Sequence, residues 1–292
     1  MGWRRIEQAH LHNLHYFKIS IMPVKTAFVT EEDIKKIPLP THGKSYTIIS
    51  HEHVINEAKL HLKNEALEIT KEVYKSTIDG QVVQGIYHLN TASDPEIGMM
   101  FAWSNSYNKL MRFKCAIGAR VFVCSNGMIS GDIANYNRKH IGGTAVADVT
   151  LSIKSQIDNA SKYYAQLVDD KEYLKTVTLS SKDQASVLGR LFAEKNLLTL
   201  TQVGQVKREM DKPSYSYNCD PNSAWSLYNH VTLSLHDSHP LTYLSDHQKV
   251  HDFFIDEFGK LVSVNTDSTP PTPPIERLND IFHTMNHGIT FM

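Results

Sequence analysis

The chain has 292 residues, 41% of them hydrophobic, and a formal net charge of −1. That length and apolar content suffice for a substantial core in one large domain or two small ones, and the balanced charge excludes the globally basic surface of many nucleic-acid binders, so that such a role needs a local patch. Three cysteines, Cys115, Cys124 and Cys219, none in C-x-x-C spacing, argue against a disulfide framework, and with neither a signal peptide nor an apolar run of roughly 18 to 20 residues the expectation is a cytoplasmic protein without membrane contact.

Residues 1–46 read as an extended lead-in. Met22 opens a more ordinary start than the histidine-laden stretch before it, so residues 1–21 are set apart as an alternative, non-native beginning. The prolines and glycine of IPLPTHGKSY, 37–46, block helix and central strand alike. Ser50 is a candidate N-cap for a helix to about Asn64, with Val54, Ile55, Ala58 and Leu62 on its apolar face. The period then shortens. LEITKEVYKSTI and QVVQGIYHL flank Asp79-Gly80, a dipeptide that favours a type I′ hairpin turn. Strands at Gly98 to Trp103 and Phe113 to Cys124 complete a meander of about four, the last read as central from its apolar run AIGARVFVC.

After the turn signals Asn126-Gly127 and Ser130-Gly131 the chain is expected to be helical. Val146, Val149, Ile153, Ile157, Ala160, Tyr164 and Leu167 predict one amphipathic helix of about six turns. Ser180-x-x-Asp183 opens the next, with Val187, Leu188, Leu191 and Phe192 as its stripe. Thr199 or Thr201 opens a third, carrying Val203, Val206 and Met210. Asp220-Pro221 is the candidate start of a helix bearing Trp225, Tyr228, Thr232 and Leu235. Ser245 or Asp246 leads a last one that Gly259 terminates. TDSTPPTPP, 266–274, suits a polyproline-type linker ahead of a short tail helix. The expected class is α+β: an antiparallel meander with a preceding helix, and a helical C-terminal half packed on it. The domain spans 47–260, with 261–292 as linker and tail.

Residues 105–140, NSYNKLMRFKCAIGARVFVCSNGMISGDIANYNRKH, resemble the phage and plasmid-like family catalogued as domain of unknown function 932. The residues that carry the likeness are Asn105, Ser106, Lys109, Gly118, Ala119, Val121 to Cys124, Asn126, Ser130, Gly131, Asp132 and Arg138 to His140. The histidine-containing helix start at Ser50 to Asn56 and the late Trp225-x-Leu-Tyr-Asn229 agree, extending the resemblance over roughly residues 30–258. It departs at Asn126-Gly127-Met128 and at Tyr107, where histidine is common, which argues against a catalytic role for position 107. The resemblance implies carriage by phages or mobile elements, in a bacterial cytoplasm, and no particular activity.

Between Lys109 and His140 six cations, Lys109, Arg112, Lys114, Arg120, Arg138 and Lys139, face Asp132 alone. Trp103, Tyr107, Phe113, Phe122 and Tyr136 interleave with them. A basic groove with aromatic platforms is what sequence-tolerant single-strand binding requires. The expected interface is Lys109, Arg112, Lys114, Arg138 and Lys139 on phosphates and Tyr107 or Tyr136 for stacking, with single-stranded DNA or RNA as partner in recombination or replication. The ordinary alternative is that these cations solvate strand edges and the aromatics are core. Asn105, Asn126, Ser130, Asp132 and His140 are candidates for a turn-based ligand site, which would suit an enzyme or host-interference factor acting on a nucleotide or phosphorylated metabolite. A third reading is a homo-oligomeric assembly protein recruiting through its tail. The sixteen histidines form neither H-E-x-x-H nor a finger spacing, so no metal or other cofactor is expected. Cys124 with His140 lacks a third, orienting group, and the glycines match no phosphate-loop pattern.

Overall fold

The computed structural model describes residues 25–41, 47–90, 93–124, 126–129, 144–236 and 238–258. The proposed alternative start and the linker and tail lie outside these. The fold is the expected α+β arrangement, with six strands among the described residues rather than about four: β1 (Thr26–Val29), β2 (Ile69–Thr77), β3 (Val82–Leu89), β4 (Ile97–Ser106), β5 (Lys114–Val121) and β6 (Gly127–Ile129). They form one antiparallel sheet in sequence order. The two additions are edge strands of four and three residues, too short for a period-2 pattern to announce them. Asn126-Gly127, expected as a turn, instead leads into β6, where Gly127 pairs with Arg120.

The β2–β3 turn also differs. Thr77 and Val82 bound a four-residue loop in which the Gly80 amide donates to the Thr77 carbonyl at 2.8 Å. Only Gly80 has positive φ, 68°, whereas a type I′ turn needs two such residues. The strand expected to run to Cys124 ends at Val121. Phe122 and Val123, expected in the core, turn outward at 41% and 51% exposure.

The helices are α1 (Glu31–Lys35), α2 (His51–Asn64), α3 (Ala145–Asp158), α4 (Ala160–Thr176), α5 (Ser181–Gly189), α6 (Leu200–Asp211), α7 (Ala224–Ser234) and α8 (Tyr243–Phe258). Ser50 caps α2 as expected, its hydroxyl accepting from the His53 amide at 3.0 Å. Capping boxes open α5 at Ser180 and Asp183, and α6 at Thr199 and Gln202. The long helix predicted over 146–167 is two helices. Asn159 interrupts it by spending its side-chain amide on the Ser155 carbonyl, 2.9 Å away. The end of α5 widens into a π-helical turn, Arg190–Glu194, which leaves Phe192 at the surface. The start of α7 is Ser223 rather than Asp220, because the Asp220 carboxylate takes the Asn222 amide in a local turn. Helix α8 begins two residues before Ser245, and Gly259 lies outside the described residues.

Side chains alternate across the sheet. One face carries Tyr74, Tyr87, Phe101, Trp103, Cys115, Ile117 and Ala119, all buried in the main core with α2, α3, α4 and α7. Helix α7 is buried nearly all round, Trp225 and Tyr228 stacking at 5.4 Å within it, as an apolar interior helix must be. The almost fully buried Lys171 of α4 reaches the Asp94 carboxylate at 2.7 Å, just ahead of β4. The C-terminal half does not keep to that face. Tyr243 and Leu244 of α8 pack on the other one with Met100, Ala102, Ala116 and Ile129.

Candidate nucleic-acid interface

The second face is set by register. One cross-strand row is Lys75, Gln84, Ser104 and Lys114; the next is Val73, Ile86, Ala102 and Ala116; the third is Lys71, His88, Met100, Gly118 and Ile129. Arg120 follows opposite Gly98, and Phe28 of β1 stands opposite Lys75. Alternation therefore places Lys71, Lys75, Lys114 and Arg120 on one side of the sheet, although they come from two strands far apart in sequence.

Helix α8 covers the β4 to β6 part of this face and leaves a groove over β1 to β3. The groove encloses about 220 Å³ and is lined by Phe28, Lys71, Val73, Lys75, Gln84, Ile86, His88, Met100, Arg120, His236 and Tyr243. Three of these are permanent cations and none is a carboxylate. Lys75 donates to the Ser238 carbonyl at 3.3 Å, which ties it to the α7–α8 connection and leaves other ammonium hydrogens to spare. The Arg120 guanidinium lies 5.1 Å from the centre of the Phe122 ring. Phe28, 71% exposed, flanks the opposite side. Burial first, then the charges of Arg120 and Lys71, push the His88 pKa down to about 4. The neighbouring imidazole thus senses the local positive field. Burial also lowers the Arg120 pKa.

The sequence-derived residues divide. Lys109 and Arg112 are exposed on the β4–β5 loop, at the end of the sheet away from Arg120. Six residues of β5 lie between the loop that holds Arg112 and Arg120, on the order of 20 Å. Lys114 is on the groove face but half-buried under α8, its ammonium donating to the Ser245 hydroxyl at 3.3 Å. Tyr107 is buried and stacked on His51 with ring centres 3.8 Å apart, so one face of its ring is already occupied. Its hydroxyl accepts from the His51 amide. Asn105 donates to the Ile49 carbonyl and to His51 Nδ1, while His51 Nε2 donates to the Gly80 carbonyl. This network joins the start of α2 to the sheet. Asn126 is buried too, its amide donating to the Asn229 carbonyl at 2.9 Å, and Cys124 Sγ lies 3.9 Å from Asn229 Oδ1. Trp225-x-Leu-Tyr-Asn229 and the Cys124 to Asn126 segment are therefore one packed contact. Tyr136, Arg138, Lys139, Ser130, Asp132 and His140 lie outside the described residues.

Phe28, Lys71, Lys75, Gln84, His88 and Tyr243 escaped the sequence reading, and His236 entered it only beside His239 among the histidines weighed for a metal. A signal existed for two of them, since Lys71, Val73 and Lys75 alternate in a strand whose other face carries Tyr74. Among the described residues no helix is long and apolar enough to cross a membrane, and no three metal-ligating side chains converge.

No curated protein and no solved structure matches the chain. A family model does, over residues 38–251, a span that takes in α2, strands β2 to β6, and the helices up to the middle of α8. The chain belongs to the family described as "Domain of unknown function (DUF932)".

Proposed function

We propose that the protein binds single-stranded nucleic acid along the groove on the second face of the sheet. The observation that carries this reading is a groove that holds Lys71, Lys75 and Arg120 and no carboxylate among its described lining residues, framed by the exposed rings of Phe28 and Phe122. The cations meet phosphates without reading sequence, and the rings offer stacking surfaces that only unpaired bases can use. Strand annealing or protection in recombination or replication, in the cytoplasm of a bacterium carrying a phage or mobile element, is the role such a groove would serve.

Fluorescence anisotropy with a labelled single strand and the matching duplex at low salt tests the reading. The single strand is expected to bind more tightly. Replacing Phe28 and Phe122 together by Ala is expected to weaken it about tenfold or more, since each stacked base contributes about 1–3 kcal/mol. Duplex binding as tight as single-strand binding, with the aromatic variant unchanged, would contradict it.

A further inference from the structure

The row nearest the hairpin end of the groove has a property that diffuse electrostatics does not explain. Gln84 and Ser104, its two middle members, are 2% and 0% exposed, and neither Gln84 Nε2 nor Ser104 Oγ has a hydrogen-bond partner. A buried polar group left unpaired costs about 1–3 kcal/mol. Ala102 and Ala116, in the adjacent row on the same face, show the apolar solution that avoids this cost. Lys75 pairs with Gln84 across the strands and lines the same groove, its ammonium spending one contact on Ser238 with donors left. Phe28, opposite Lys75, and His236 line the same end.

An amide N–H and a lysine paired across adjacent strands, with no carboxylate lining the groove among the described residues, call for an acceptor-rich anion. The amide nitrogen is closed off from solvent, but the terminal torsion of glutamine is broad, so it can turn into the cavity that its own side chain lines.

We propose that Lys75 and Gln84 form a discrete seat for one phosphate group, with Ser104 behind it, inside the groove. The anion-binding role of the groove is taken from the reading above; what is added is a fixed, largely desolvated position that sets where one phosphate of the ligand rests. A phosphodiester within a strand and a phosphate monoester, at a 5′ end or on a small metabolite, share this chemistry.

The test is calorimetric titration of the full chain at constant ionic strength. The titrants are inorganic phosphate, a thymidine oligonucleotide with a 5′-phosphate, and the same oligonucleotide with a 5′-hydroxyl. Phosphate is expected to compete with both oligonucleotides. Gln84→Met, near-isosteric and uncharged, is expected to weaken phosphate and oligonucleotide about tenfold without altering the salt dependence. Lys75→Gln, at a half-buried side chain, tests the seat if Gln84→Met does not fold; it is expected to weaken inorganic phosphate and oligonucleotide about tenfold and, because it removes a cation, to make the oligonucleotide salt slope shallower by about 0.7. A preference for the 5′-phosphate identifies a monoester seat, and equal binding identifies a diester seat. If the oligonucleotides fail to bind while phosphate binds in a Gln84-dependent way, the strand reading falls and the seat stands. If they bind with no dependence on Gln84, on Lys75 or on competing phosphate, the seat is overturned and the strand reading stands.

Discussion

His51, His88 and His247 each stay neutral well into acid, burial holding their pKa values at about 4. In an unfolded chain they titrate near 6.5, so between these values the unfolded state takes up protons that the folded state refuses. Stability is therefore intact above about pH 6.5 and is lost as pH falls toward 4. For the fully enclosed His51 and His247 the loss approaches roughly 3 kcal/mol each at the acid end. His247 Nδ1 donates to the Gly127 carbonyl at 2.9 Å, a bond that an asparagine amide can reproduce without titrating. Urea unfolding at pH 7 and pH 5 should show His247→Asn losing about 2 kcal/mol less than the wild type between the two. Equal losses would mean that His247 is not the neutral, buried group described. The same two histidines show what single residues conceal in a sequence. They were weighed as metal ligands or left unremarked, yet each is a hydrogen-bonded interior group, because their partners, Asn105 and Gly127 on strands and Gly80 in the β2–β3 loop, are remote in the chain.

Among the elements, helix starts were the most legible, because a cap is a local bargain between a side chain and amides three residues on. Ser50 and Ser180 cap where the spacing said they would, and of the two candidates Thr199 and Thr201 it is Thr199 that caps. Helix α7 was misplaced by three residues because Asp220-Pro221 offers a good cap that its own turn consumes. Its actual cap, Ser223, is fully buried, accepts the Ser226 amide at 3.1 Å, and sits where Thr178 and Ser223 bridge. Ser223→Ala should cost about 1–2 kcal/mol, read as a shift in the urea midpoint, while Ser223→Thr should cost less. No difference between the two would argue that α7 is positioned by its core contacts alone. Strands β2 to β5 were legible from β-branched and aromatic runs, whereas β1 and β6 were not, since three or four residues carry no period. Phe122 and Val123 were assigned to the core by composition. They leave it because the strand ends at Val121, where the Phe122 amide bonds the Glu96 carbonyl at 2.9 Å.

At the scale of the molecule the sequence showed a local excess of cations but not which face would gather them. Of the described cations in the run from Lys109 to Lys139, Lys109 and Arg112 go to one end of the sheet, Lys114 goes under α8, and Arg120 lines the groove. Its companions, Lys71 and Lys75, come from a strand some forty-five residues earlier. Only the register of four paired strands brings them together. The measurement that tests the central claim most directly is the salt dependence of single-strand affinity, compared between the wild type and a variant in which Lys71, Lys75 and Arg120 are all replaced by Gln. Each phosphate contact contributes about −0.7 to the slope of log affinity against log salt for a single strand. The groove reading predicts that the variant's slope is shallower by about 2, with affinity at low salt reduced at least about tenfold. A variant with the wild-type slope and affinity would contradict it, and would place any nucleic-acid contact elsewhere on the molecule.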